Sequence, residues 1–224
     1  MFIGHYGPAV WDAHRADGVR LWHGILAVQL IDIVTMVLTL LGIEGQGVGP
    51  DMHPLAFDIP YSHSLVGSLV IAAVGALGYR ALRPRAGTKA ALIIGALVFS
   101  HWVLDLVVHR PDMPILPGGD TLLGLGLWNL PWVAYALEVL LLGGMVAWWL
   151  KVTRGPLWTT LTAWTVVTVM CVLQFMVMTA PTLAYQNEGS LPPPAGNGAA
   201  VSGLVVFFAL AGVFALLERK RVAG

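Results

Sequence analysis

Six stretches of about twenty apolar residues constrain the fold of this chain more than any other feature. Each can cross the hydrocarbon core of a bilayer as a helix, which takes about 20 residues. Of the 224 residues, 57% are hydrophobic and only 11% are charged, whereas an ordinary soluble domain has about 25% charged residues. The sequence therefore predicts an all-α polytopic helical membrane bundle, a single domain over residues 1–224. Its spans are expected near residues 21–43, 62–82, 89–108, 129–150, 157–180 and 199–217.

Basic residues lie almost entirely on one side of this six-span arrangement. Eleven of the twelve Lys and Arg residues precede the first span, follow the sixth, or fall in alternate loops, and Arg110 is the exception. The remaining loops are acidic. By the positive-inside rule, we expect the N- and C-termini to be cytoplasmic and the acidic loops to face outward. A formal net charge of zero, without a soluble basic domain, argues against a nucleic-acid partner.

The first 20 residues are too polar to form a span. Pro8 suits the first turn of a helix, so we expect a short helix here that is either interfacial or re-entrant. Cys171 is the only cysteine, which excludes an intrachain disulfide. Most tryptophans fall near predicted span ends and are expected to form an interfacial aromatic belt: Trp102, Trp128, Trp132, Trp148, Trp149, Trp158 and Trp164.

The third span carries the most informative polar pattern. His101, Asp105 and His109 follow one another at intervals of four residues, which places all three on one face of a helix. Ionisable residues inside a span are costly and mark candidate functional sites. Imidazole and carboxylate groups at this spacing are suitable metal ligands, which predicts a metal site within the membrane.

Other polar residues in the spans can join this triplet. Asp32 in the first span and His63 at the start of the second lie at depths from which they can approach it, whereas Glu138 lies within the fourth. Two carboxylates with several imidazoles suit a divalent transition metal such as Zn, Mn, Fe or Ni rather than Ca or Mg. Asp105, between two histidines, is the natural bridging ligand if two ions are present.

Each residue also has a simpler interpretation. His63 can be an interfacial cap, and His109 can lie among lipid headgroups. Asp32 and Glu138 can join helices through hydrogen bonds or form a proton relay. The remaining histidines are expected to be solvated or interfacial: His14, His23 and His53.

The ordered motifs of the first 135 residues resemble the bacterial membrane-bound metal-dependent hydrolase family, and more remotely the ligand order of zinc-dependent phospholipase C. The motifs are Gly4-His5-Tyr6-Gly7-Pro8-Ala9, Asp32, Tyr61-Ser62-His63-Ser64-Leu65 and Ser100-His101-Trp102-Val103-Leu104-Asp105. The resemblance implies a bacterial inner-membrane protein that binds one or two ions, most simply Zn. One ion would be held by Asp32, His63, His101 and Asp105. The second would be held by His5 and the shared Asp105, with His109 as a further ligand.

These observations together predict a metal-dependent hydrolase in the outer half of the membrane. Its substrate is expected to be a phosphoester or ester of a lipid-like molecule. The lipid bilayer itself is the other expected partner of the protein. Glu138 is a candidate general base because the membrane interior favours a protonated carboxyl group. Two other functions stay open: a non-enzymatic accessory subunit of a larger membrane complex, and a proton-coupled transporter.

Overall fold

The computed structural model describes residues 1–10, 13, 19–46, 57–189 and 197–224. Five helical stretches in this part are long and apolar enough to cross a membrane, and a bent helix pair makes a sixth. The all-α membrane bundle predicted from the sequence is thereby confirmed. The helices are α1 (Leu21–Val28), α2 (Leu30–Leu40), α3 (Leu65–Leu82), α4 (Gly87–Val108), α5 (Pro131–Val152), α6 (Leu157–Gln174), α7 (Ala180–Glu188) and α8 (Asn197–Glu218).

Three short antiparallel strand pairs close the loops at the ends of the bundle. β1 (Gly45–Gln46) pairs with β2 (Phe57–Asp58), and β3 (Met113–Pro114) pairs with β4 (Leu122–Leu123). Both pairs lie at the end where α3 begins and α4 finishes. β5 (Thr153–Arg154) and β6 (Val222–Ala223) pair at the opposite end, where they tie the chain after α8 to the end of α5.

The first predicted span is broken. Its two halves, α1 and α2, meet at an angle of 48°. The break falls at Gln29, whose backbone leaves the helical conformation (φ −101°, ψ 3°) and whose N–H donates to the carbonyl of Leu26, three residues back, at 3.3 Å. A tight turn of this kind interrupts the regular hydrogen-bond ladder and bends a helix.

The fifth span extends beyond its predicted end at residue 180. α6 passes through a π-helical turn, Phe175–Thr179, directly into α7. Pro181 lies at the start of α7 and has no N–H to donate. A π-turn is one of the adjustments by which a helix accommodates such a residue.

The N-terminal segment is buried inside the bundle rather than lying at an interface. Its 3₁₀ helix, Gly4–Val10, packs against α5, α1 and α4. The approach is close, since a Cβ added to Gly24 would lie 2.4 Å from the carbonyl oxygen of Ala9. Of the two predicted placements, the re-entrant one is therefore closer to the structure.

The first and last residues of the chain lie at opposite ends of the bundle. Met1 packs with Val108 and Trp128 beside the end of α4. Glu218, the last residue of α8, accepts a hydrogen bond from the N–H of Leu21 at 3.0 Å, at the other end. The cytoplasmic location of the N- and C-termini stays a prediction.

Three tryptophans that were expected in an interfacial belt are buried. Trp102 donates through Nε1 to the carbonyl oxygen of His63 at 2.9 Å, and Trp128 lies against the ring of His109. Trp149 is 1% exposed. A tryptophan inside a bundle fills a large volume and uses its single N–H to fix a neighbour. The other four are exposed, as a belt requires: Trp132, Trp148, Trp158 and Trp164.

Candidate metal centre

The α4 triplet is buried together on one face of its helix. His101 and Asp105 lie one turn apart, and His109 directly follows the last residue of α4. Their exposed fractions are 0%, 1% and 3%. The spacing of four residues therefore places these groups as the helical periodicity predicts.

Four histidines surround the carboxylate of Asp105. Its Oδ1 lies 3.2 Å from Nε2 of His5 and 3.7 Å from Nε2 of His109. Its Oδ2 lies 3.2 Å from Nε2 of His63 and 3.1 Å from Nε2 of His101. Each oxygen of Asp105 thus faces a different pair of imidazoles, as in a bridging carboxylate, and Oδ1 also accepts a hydrogen bond from the N-terminal ammonium of Met1.

Asp32 completes one of these two sets. It lies in the first turn of α2, and its Oδ1 is 3.4 Å from Nε2 of His101 and 3.6 Å from Nε2 of His63. Its side chain is 17% exposed, whereas those of His63 and His101 are at most 3% exposed. Asp32 is therefore on the more accessible side of the group.

We call these residues the His/Asp cluster: His5, Asp32, His63, His101, Asp105 and His109. Two subsets can each present ligand atoms within 4.8 Å of one another, namely Asp32 with His63 and His101, and His5 with His101 and Asp105. Ligands of one tetrahedral Zn²⁺, at bond lengths of about 2.0–2.1 Å, lie about 3.4 Å apart. The observed nitrogen–oxygen separations of 3.1 to 3.7 Å fit that spacing.

In two cluster histidines, His101 and His109, Nδ1 points away from the cluster and has a hydrogen-bond partner outside it. Nδ1 of His101 lies 2.6 Å from the carbonyl oxygen of Val28. Because a carbonyl only accepts, Nδ1 carries a proton, and Nε2 is thereby directed into the cluster. His109 is held in the same way, with Nδ1 2.9 Å from Oδ1 of Asp112. Such partners typically orient metal-binding histidines.

His63 is held by a hydrogen-bond network that reaches into the loop before α3. Its Nδ1 lies 3.0 Å from Oγ of Ser62 and 3.3 Å from Oγ1 of Thr35. The Ser62 hydroxyl in turn lies 2.7 Å from Oε2 of Glu44. Oε1 of Glu44 accepts from the N–H groups of Tyr61 and Ser62, both at 2.8 Å. A buried carboxylate thus fixes the turn that carries His63.

Glu44, Thr35 and Asp112 were not predicted from the sequence as partners of the cluster. Thr35 follows Asp32 by three residues and Asp112 follows His109 by three, so a search for hydrogen-bonding side chains one turn beyond each ligand finds both. No sequence spacing predicts the role of Glu44, because its contact with Ser62 depends on how the intervening loop folds.

His5 lies inside the cluster in a form suited to metal binding. Its ring stacks on that of His101 at 3.5 Å between centroids, and neither of its nitrogens makes a hydrogen bond with a described residue. An imidazole nitrogen that carries no proton has the free lone pair that a metal requires.

Glu138 anchors the segment that carries His5. Its Oε2 accepts from the backbone N–H groups of Phe2 at 2.8 Å and Gly4 at 3.1 Å, and its Oε1 accepts from Nε2 of Gln174 at 2.9 Å. These contacts give Glu138 a positioning role. Its expected role as general base stays a prediction.

The remaining histidines lie away from the cluster or outside the described residues. Nδ1 of His23 is 3.2 Å from the hydroxyl of Tyr79, and its ring is in contact with that of Trp22. His14 and His53 lie outside the described residues.

Comparison with known proteins finds no matching family model, no similar curated protein and no similar solved structure. The case for a metal site therefore rests on the geometry of this chain.

Proposed function

We propose that this protein is a membrane-embedded metal-dependent hydrolase, related in its motifs to the membrane-bound metal-dependent hydrolase family. Asp32, His63, His101 and Asp105 hold one zinc ion, and His5, Asp105 and His109 hold a second. The observation that carries this proposal is the convergence of four imidazole Nε2 atoms on a buried carboxylate at ligand spacing.

Oδ1 of Asp105 also accepts a hydrogen bond from the N-terminal ammonium of Met1, but ion pairing accounts poorly for the convergence of the four imidazoles. Charge-assisted hydrogen bonds between nitrogen and a carboxylate are about 2.7–2.9 Å long, whereas the cluster separations are 3.1 Å or more. Nε2 of His5 and of His101 makes no hydrogen bond with a described residue. A dication offsets the cost of burying two carboxylates and uses the lone pairs that otherwise have no partner.

Zinc at this centre supplies Lewis acidity and lowers the pKa of water to about 7. The protein's own residues fix the two ligand sets and exclude bulk water. Asp32, the most exposed ligand, lies on the side from which a substrate enters. The substrate we infer is a phosphoester or ester of a lipid-like molecule, because the site lies within a bundle surrounded by acyl chains.

A loop cavity offers an aqueous approach to the same centre. It has a volume of about 320 Å³ and is lined in part by Asp58, Asp112 and Leu122. The carboxylate of Asp112 also contacts His109. We place this end of the bundle outside the bacterial inner membrane, because the basic loops lie at the other end.

Metal content tests the proposal directly. Elemental mass spectrometry of the purified protein should find one or two equivalents of zinc, and His101→Gln and Asp105→Asn should lose it while circular dichroism shows the helices intact. His23→Gln is the matched control and should retain the metal. Wild-type protein that stays metal-free after reconstitution with Zn²⁺ overturns the proposal and favours an accessory role in a larger complex.

A proton-coupled carrier is a second candidate, because α1 and α2 are broken beside Asp32. Interrupted spans are typical of transporter binding sites. Uptake into proteoliposomes that depends on Asp32 and not on zinc would favour this candidate.

A further inference from the structure

The end of the bundle where β5 pairs with β6 carries an unbalanced positive charge. Among the described residues, Glu218 is the only acidic residue at this end, and its Oε1 already accepts from the N–H of Leu21. A surface with many cations and few anions attracts negatively charged groups. The exposed basic residues at this end are Arg20, Arg80, Arg83, Arg85, Lys89, Lys151, Arg154, Arg219 and Lys220.

Two of these arginines lie beside one contact between two helices. Arg20 directly precedes α1, and Arg83 directly follows α3. The helices meet through His23 and Tyr79, whose Nδ1 and hydroxyl oxygen are 3.2 Å apart and whose ring centroids are 5.3 Å apart. Both guanidinium groups lie within electrostatic reach of His23 and of Tyr79. Arginines from separate parts of the sequence therefore flank the same pair of rings.

The positive charge of these two arginines is only partly balanced within the described chain. Arg20 also lies within electrostatic reach of the Glu218 carboxylate, whereas no described carboxylate forms an ion pair with Arg83. A guanidinium group presents paired N–H donors that match the oxygens of a phosphate, and a tyrosine hydroxyl can add one more donor. The arrangement therefore suits a phosphate group.

The surroundings favour the phosphate of a lipid over a free phosphate ion. α3 is long and apolar enough to cross a membrane. Near its end, Leu77 and Leu82 are 70% and 82% exposed, and Arg83 is the next residue. Apolar side chains at the end of a span face acyl chains, and a basic residue just beyond them lies at the level of the headgroups. A phospholipid can therefore place its acyl chains along α3 and its phosphate beside Arg83.

We propose that Arg20, Arg83 and Tyr79 form a binding site for the phosphate of an anionic phospholipid, at the opposite end of the bundle from the metal centre. The two guanidinium groups and the Tyr79 hydroxyl donate to the phosphate oxygens. His23 positions Tyr79 by donating from Nδ1 to its hydroxyl oxygen. The lipid thereby joins the start of α1 to the end of α3. This site requires neither zinc nor hydrolysis.

Native mass spectrometry of the detergent-purified protein with added lipid tests the site. The wild type should retain phosphatidylglycerol in preference to phosphatidylcholine with the same acyl chains, because the choline group neutralises the phosphate. Arg20→Gln and Arg83→Gln should each weaken phosphatidylglycerol binding about tenfold, as expected for a lost hydrogen bond between charged groups. Arg83→Lys should recover part of the affinity, since lysine keeps the charge but not the paired donors.

Arg154→Gln is the matched control, because it removes one exposed positive charge at the same end of the bundle, on β5. It should bind phosphatidylglycerol as the wild type does. Equal losses in Arg154→Gln and Arg83→Gln would assign lipid binding to the overall charge of this end and overturn the proposed site. Unchanged binding by Arg20→Gln and Arg83→Gln would overturn it as well.

Two further measurements separate misfolding and free phosphate from lipid binding. Tyr79→Phe keeps every charge and should still weaken phosphatidylglycerol binding severalfold, while the lipid-free variants should have the thermal unfolding midpoint of the wild type. Inorganic phosphate at the concentration of the lipid should not displace it. Displacement would assign the site to a free anion and overturn the proposal of a lipid ligand.

Discussion

Two polar clusters lie at opposite ends of the bundle, and they differ in how completely their atoms are paired. Beyond α8, the guanidinium of Arg221 directs its N–H groups at five acceptors. Nε donates to Oγ1 of Thr153, Nη1 to Oγ1 of Thr159 and Thr160, and Nη2 to the carbonyl oxygens of Leu150 and Thr153. An arginine has five N–H donors, so this group needs no further ligand.

The His/Asp cluster is the opposite case. The imidazoles of His63, His101 and His109 are held at Nδ1, but Nε2 of His5 and of His101 has no hydrogen-bond partner among the described residues. A partly buried group whose hydrogen-bond partners are all within the protein acts as a structural clamp. A buried group that is oriented but unpaired is ready for something that binds. The difference in hydrogen bonding therefore assigns a structural role to the Arg221 cluster and a ligand-binding role to the His/Asp cluster.

The largest expected effect comes from Asp105→Asn. Asp105 faces all four histidines, so replacing one carboxylate oxygen by an amide removes a ligand common to both zinc positions. Zinc affinity, measured by competition with a chromophoric chelator, should fall more than a hundredfold while the helical content persists. Asp58→Asn, in the loop before α3, is the control. Tight zinc binding by Asp105→Asn would contradict the conclusion that the His/Asp cluster, unlike the Arg221 cluster, binds a ligand.

His5→Ala should remove one zinc position and leave the other. His5 contacts Oδ1 of Asp105, whereas His63 and His101 contact Oδ2. Elemental analysis should therefore find one equivalent fewer than in the wild type. His63→Ala should remove the other position, and the double variant should be free of zinc. Two equivalents retained in His5→Ala would exclude His5 as a ligand.

The core of the candidate site can be predicted from sequence because it depends on local periodicity. His101, Asp105 and His109 are set by helical pitch. Asp32 and His63 follow from the depths of neighbouring spans. These relations are fixed by 1.5 Å of rise per residue and by the thickness of a bilayer.

The rest depends on contacts between residues that are distant in sequence. His5 reaches the cluster because Glu138, 134 residues after Gly4, holds the N-terminal segment in the bundle, and only the resemblance suggested its role. Glu44 reaches His63 through a fold of its loop. The break at Gln29 and the π-turn before α7 depend on how the helices pack. The hydropathy of the sequence therefore does not predict them.

Glu44→Gln should produce a smaller change than loss of a ligand. A glutamine cannot accept from the backbone of Tyr61 and Ser62 and from the Ser62 hydroxyl at once, so His63 loses part of its support. Partners of this kind contribute about 10- to 100-fold to metal affinity, and we expect about a tenfold loss. Glu188→Gln, at an exposed carboxylate, should change nothing. Equal affinities for all three proteins would show that the loop network does not act on the metal.

Arg221→Lys should leave zinc binding unchanged and lower stability. A lysine keeps the charge but has three donors on a flexible stem, so it cannot satisfy the acceptors that the planar guanidinium reaches. We expect the free energy of unfolding in detergent to fall by about 2 kcal/mol, the range for lost hydrogen bonds to a charged group. Arg219→Lys, at an exposed position, is the matched control. Loss of zinc in Arg221→Lys with unchanged stability would mean that Arg221 and its hydrogen-bond partners also support the metal centre. Complete hydrogen bonding of a polar cluster would then not distinguish a structural role from a ligand-binding one.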